Sequence, residues 1–149
     1  MTCPATGPPP MSAVDKLSIV VFSGGFERVH YALVMAAAAV ASNTPVTLFF
    51  TMGAARALLN PDGWRRLPTE EPGLDAQAMD AGFASRGVAT FEELLSACVA
   101  LGVKVMVCEM GLRALNIDPA DLRPDVPVDS GGVVTFLADA SRDGGMLFI

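Results

Sequence analysis

Gly102-Val-Lys-Val-Met-Val-Cys-Glu-Met-Gly-Leu-Arg-Ala-Leu-Asn-Ile117 is the stretch whose reading decides the fold. Behind Gly102, residues Val103, Val105, Met106 and Val107 form an almost wholly apolar, β-branched run, which reads as a strand buried on both faces in a parallel sheet. Cys108 closes that strand, and Glu109 to Leu115 favour a helical turn. The thiol is therefore expected between the carboxyl end of a strand and the amino end of a helix, where open α/β sheets place their ligands. Unpaired N–H groups at a helix start stabilise anions, a thiolate included, although Glu109 works against them. Chemistry at this position requires a sulfur that is reachable from outside.

Upstream, Thr90-Phe-Glu-Glu93 has the capping-box pattern, and the helix it opens places Phe91, Leu94, Leu95, Cys98 and Leu101 on one face before Gly102 ends it. Cys98 is thus expected in the core. Helix and strand run in opposite directions, so the sulfurs of Cys98 and Cys108 should lie on the order of 10 Å or more apart, too far for a disulfide.

Two further strand-to-helix units precede this one. Leu17-Ser-Ile-Val-Val-Phe22 reads as a strand ending at Ser23-Gly24-Gly25, followed by an apolar stripe at Val29, Leu33, Ala36, Ala37 and Val40. The Ser-Gly-Gly turn could offer N–H groups to an anion, yet it lacks the spacing of a dinucleotide fingerprint or a P-loop, and a tight turn is the plainer reading. His30, without a visible partner, reads as a packing residue. Val46-Thr-Leu-Phe-Phe-Thr51 supplies the next strand, with Met52-Gly53 at its carboxyl end and a short helix over Ala54 to Leu59. From Asn60 to Gly87 the periodicity is lost among prolines and glycines, apart from a turn or two of helix between Leu74 and Phe83. Trp64 is expected to pack this excursion onto the body.

Downstream, Asn116 suits a left-handed helix cap, and Asp118-Pro119 starts another turn. Val126-Pro127-Val128 reads as a brief edge strand, Ser130 as the cap of a helix through Val133, Val134, Phe136, Leu137 and Ala140, and Met146-Leu-Phe-Ile149 as a last strand. The alternation specifies a three-layer α/β/α sandwich around a mostly parallel sheet of about five strands. In such a sheet the loops at Ser23 to Phe26, Met52-Gly53 and Cys108 to Gly111 share one edge.

The totals set limits. A chain of 149 residues, 52% of them apolar, can build one core, so residues 14–149 read as a single domain. Residues 1–13, with four prolines, read as a disordered tail in which Cys3 has no evident role. A net charge of −6 argues against nucleic acid and anionic membranes as partners. Three cysteines without framework spacing point to the cytoplasm, and one histidine leaves no zinc pattern; no metal or cofactor is expected. Neither a signal peptide nor a spanning helix is expected: the most apolar segment, Val29 to Ala41, falls short of the about 20 residues a bilayer requires.

Taken together, the Ser23-Gly24-Gly25 strand end, the Phe91 to Gly102 helix leading into Val-Lys-Val-Met-Val-Cys108-Glu-Met-Gly111, the Gly131-Gly132-Val-Val-Thr-Phe-Leu-Ala-Asp139 segment and the terminal Gly-Gly-Met-Leu-Phe-Ile149 resemble the DsrE/DsrF-like family. The resemblance runs over most of Leu17 to Ile149 and implies a sulfur carrier, sulfurtransferase-like rather than a turnover enzyme. Cys108 matches the cysteine that accepts sulfane sulfur as a persulfide. It also implies sulfur donor and acceptor proteins as partners and a homo-oligomer, a trimer or a hexamer. The persulfide anion would draw on backbone N–H groups from Glu109, Met110 and Gly111, with Ser23, Gly24 and Gly25 as a second source and Met52 and Gly53 at the pocket edge. Peroxidase chemistry is not expected, because Val105-Met106-Val107 stands where a Thr-x-x-Cys setting would be required. Two alternatives stay open: a module binding a small anion, nucleotide or flavin without covalent chemistry, and a structural subunit with Cys108 as a small buried hydrophobe.

Overall fold

A computed structural model describes residues 14–149; the expected tail and Cys3 lie outside the described residues. The sheet has five strands: β1 (Leu17–Val21), β2 (Val46–Phe50), β3 (Lys104–Cys108), β4 (Val128–Gly131) and β5 (Gly145–Phe148). Their order is β4-β3-β2-β1-β5, and every pairing is parallel. The most apolar strands, β2 and β3, take interior positions, and short β4 and β5 take the edges, as burial on both faces requires.

The two faces are covered unequally. Helices α1 (Phe26–Ala41), α2 (Ala76–Ser85) and α3 (Phe91–Ala100) belong to the first face, where Ile19, Val21, Leu48, Phe50, Val105 and Val107 join the main core. The opposite face carries a small buried cluster of Phe49, Met106, Cys108 and Phe136, the last from α5 (Val133–Asp139). Helix α4 (Glu109–Ala114) continues directly from β3. The expected three layers are present, with the third reduced to one short helix.

Most local signals hold. Thr90 Oγ1 accepts from Glu93 N (3.3 Å) at the start of α3, Asn116 takes φ 56°, and Asp118 accepts from Ala120 N (2.9 Å). Some boundaries differ. The fourth strand begins at Val128 rather than Val126 and includes Ser130, so that α5 starts after Gly132 without a side-chain cap. The short helix after β2 is a 3-10 helix (Met52–Leu58), and the aperiodic stretch holds a second one (Gly63–Arg66) before α2, which Asp75 caps. Trp64 packs this excursion as expected, stacked at 5.0 Å on Phe91 and 5.7 Å on Phe26, with its Nε1 donating to Glu92 at 2.9 Å. Arg123 clamps the same Glu92 through both terminal guanidinium nitrogens (2.8 and 2.9 Å), which holds that carboxyl below its usual range.

Candidate functional site

Cys108 stands where the sequence places it, as the last residue of β3 and the N-cap of α4. Along a strand successive side chains alternate between faces, so Lys104, Met106 and Cys108 share the second face. There the thiol lies in the cluster with Phe49, Met106 and Phe136 and is 1% exposed. The expectation of a sulfur reachable from outside therefore does not hold for this conformation. The physical reason is α5: Phe136 stacks on Phe49 (centroids 4.7 Å apart, planes at 13°) and fills the space over the end of β3.

The three loops after β1, β2 and β3 do meet at one edge, and glycine is what lets them. A Cβ on Gly24 would meet the backbone of Gly53 at 3.3 Å, and one on Gly53 would meet Gly24 Cα at 3.1 Å. A Cβ on Gly111 would stand 2.6 Å from Met52 N and 3.1 Å from Thr51 Oγ1. Gly111 is thus fixed by close approach of α4 to the loop after β2.

Sharing an edge does not bring all the candidates to one point. β1 and β3 are separated by β2, about 10 Å at the usual strand spacing. Gly25 N also closes on Ser23 Oγ at 3.1 Å. The Ser23-Gly24-Gly25 turn is therefore no second source of donors for Cys108; of the proposed donors, only the backbone of Glu109, Met110 and Gly111 adjoins it. Ser23, Gly24, Met52 and Gly53 instead line an open cavity of 520 Å³ beside Phe22 and Phe148. Another, of 240 Å³, borders α4 through Glu109, Leu112 and Arg113.

The cover over Cys108 is pinned at its far end by a cluster that sequence reasoning missed. Asp139, the last residue of α5, accepts from Lys16 Nζ (2.7 Å), Lys104 Nζ (2.9 Å) and Thr47 Oγ1 (2.7 Å), and its carbonyl accepts from Lys16 as well (2.9 Å). Burial alone would raise the Asp139 pKa, but these hydrogen bonds outweigh it and hold the carboxyl well below the usual carboxylate range. The available signal was Lys104, the one charged side chain in an otherwise apolar strand and in phase with Met106 and Cys108.

The remaining candidates are structural. Cys98 is fully buried, its thiol donates to Leu33 O at 3.7 Å, and burial pushes its pKa up to about 11. It belongs to the first-face core and Cys108 to the second-face cluster, and both are free thiols. His30 Nε2 bonds to Ala89 O (2.9 Å), and the ring packs on Phe83 at 4.8 Å.

A parallel sheet in the order 4-3-2-1-5 with a cysteine at the β3–α4 junction can be set beside known proteins. The model of the DsrE/DsrF-like family matches residues 15–142. The chain belongs to the DsrE/DsrF-like family. The uncharacterized protein YrkE of Bacillus subtilis (strain 168) is 25% identical over 156 residues, covering 90% of this chain and 96% of YrkE. Two solved structures share the fold: MTH1491 from Methanobacterium thermoautotrophicum, a protein of unknown function (TM-score 0.58, 15% identity, 90% of this chain and 98% of that one), and the ychN protein of E. coli (TM-score 0.58, 17% identity, 91% and 99%). Among the described residues of this DsrE-like chain, no helix is long and apolar enough to cross a membrane.

Proposed function

We propose that this DsrE-like protein serves in sulfur relay, with Cys108 as the residue that carries sulfur in a form whose α5 cover has lifted. Family membership supports the relay, and the location of Cys108 at the β3–α4 junction carries the assignment to that residue. The Cys108 thiolate attacks the sulfane sulfur of a donor persulfide; a new S–S bond forms, the donor's S–S bond breaks, and the donor leaves as a thiolate. The terminal anion of the new persulfide then lies near the first N–H groups of α4.

The cover is suited to moving. Helix α5 has seven residues, Phe136 is its one buried side chain, and Val134 and Leu137 face outward. Phe22 and Phe148, stacked at 5.3 Å and both exposed, extend this apolar surface across the sheet edge. A homo-oligomer or a relay partner that docked there would meet α5, which links opening of the cover to arrival of the protein that exchanges sulfur.

Incubation with a persulfide donor is expected to add one sulfur mass at Cys108. Cys108→Ser abolishes the adduct and Cys98→Ser retains it. Equal labelling of every cysteine, or none, overturns the proposal. The burial of Cys108 favours a second reading, a scaffold subunit with an inert thiol. In that case native-state alkylation of Cys108 is as slow as that of Cys98.

A further inference from the structure

We infer that the cavity between the two 3-10 helices is a binding site for a small dianionic oxyanion of phosphate type, held by Arg56 and Arg66. The cavity measures 140 Å³ and is bounded by Gly24, Arg56, Gly63 and Arg66 together with the apolar Leu59, Leu67 and Pro68. Its volume equals several water molecules at about 30 Å³ each, room enough for a tetrahedral anion.

Arg56 and Arg66 are the two charged side chains that border the cavity, in a protein of net charge −6. Like Arg86, Arg113 and Arg142, neither has a carboxylate partner among the described residues, whereas Lys16, Arg28, Arg65, Lys104 and Arg123 do. No carboxylate lines the cavity either. Both arginines are exposed at the rim of this one cavity, and the planar guanidinium donor set matches a phosphoryl or sulfuryl group.

The supports are rigid. Gly63 N donates to Leu59 O at 2.9 Å, and a Cβ on Gly63 would stand 2.2 Å from Arg56 O, so the two 3-10 helices that carry the arginines are locked in direct contact. Gly24 adds a backbone N–H that bonds to no protein acceptor among the described residues. Across from it, Phe26 N is tied to Pro68 O at 2.9 Å, which fixes the fourth wall to the start of α1. The site uses none of the residues around Cys108 and stands whether or not that thiol carries sulfur.

The test is titration of the full chain with inorganic phosphate at constant ionic strength, chloride making up the balance, read by calorimetry and by the unfolding midpoint. A saturable heat and a saturable rise in midpoint are expected, because a ligand bound only by the folded state must stabilise it. Arg56→Gln and Arg66→Gln each weaken phosphate at least tenfold, while Arg113→Gln, at an arginine outside the cavity, leaves it unchanged. The same titration on Cys108→Ser gives the wild-type curve, which separates this site from sulfur transfer. AMP binding tenfold tighter than phosphate identifies a nucleotide as the source of the phosphoryl group; equal or weaker binding identifies the free oxyanion. No saturable response, or an equal loss in Arg113→Gln, overturns the inference.

Discussion

If α5 is the cover over Cys108, shaving its buried side chain must raise the reactivity of that thiol and of no other. Phe136 is 1% exposed. Burying a side chain of this size is worth about 1.5–3 kcal/mol, and its stack on Phe49 about 0.5–1.5 kcal/mol more. The Lys104–Asp139 ion pair adds about 1 kcal/mol or less, because Lys104 is nearly half exposed, and the opening considered leaves the less exposed bonds from Lys16 and Thr47 at the far end of α5 intact. Opening of α5 alone therefore costs about 2–5 kcal/mol, below the about 5–15 kcal/mol of whole-domain unfolding. When closing is fast relative to alkylation, the rate at Cys108 is the rate of a free thiol multiplied by the open fraction. Phe136→Leu keeps an apolar plug and loses the aromatic stack, so the rate at Cys108 should rise about 2- to 10-fold. Phe136→Ala, at about 3–5 kcal/mol, should leave Cys108 almost unprotected.

The assay is alkylation of native protein, quenched at intervals and resolved by residue in a mass spectrometer. Cys98 is the internal control: it sits in the core of the other face with its pKa raised to about 11 by burial, so it reacts only through global unfolding. A rise at Cys108 with Cys98 unchanged supports local opening. An unchanged Cys108 in a folded Phe136→Ala variant, or parallel rises at both thiols, refutes the reasoning.

Other outcomes follow from the same contacts. Gly111→Ala places a Cβ 2.6 Å from Met52 N, a backbone atom with little freedom to move, and should cost about 1–3 kcal/mol in chemical denaturation; a neutral result removes the close-packing argument for that edge. Asp139 has a folded-state pKa below its unfolded value, so its contribution is present above about pH 4 and disappears as pH falls further; Asp139→Asn should flatten this acid limb of stability, and an unchanged limb refutes it. Phe148→Asp, placed on the exposed apolar edge, should lower the assembly state measured by light scattering without shifting the monomer's circular dichroism; an unchanged mass rules that edge out as the interface.

Much of the fold was legible because the decisive strands carry their own periodicity. Val105 and Val107 point into one core and Met106 into the other, as burial on both faces of a parallel sheet requires. The β3–α4 junction was legible for the same reason, together with the caps at Thr90, Asn116 and Asp118. Less legible was the segment from Asn60 to Gly87, whose order comes from Trp64 stacking on Phe91 and Phe26, contacts distant in sequence that no local pattern encodes. The accessibility of Cys108 was misjudged because strand phase assigns a side chain to a face and does not state what covers that face. That depended on Phe136, 28 positions later, and on the Asp139 cluster that pins its helix.

The inequality of the two faces joins these observations. On the first face, α1 and α3 seal the main core, which includes Phe26, Leu33, Phe91 and Cys98. On the second, four buried residues depend on one seven-residue helix held by a ring stack and one carboxylate. A thiol meant only to fill space would be equally secure on either side, as Cys98 is. Cys108 occupies the face with the weaker cover, at the end of the strand nearest the first N–H groups of α4, and on the proposed sulfur-relay reading this is the placement in which modest local opening would bring a sulfur to a partner while the main core stays closed.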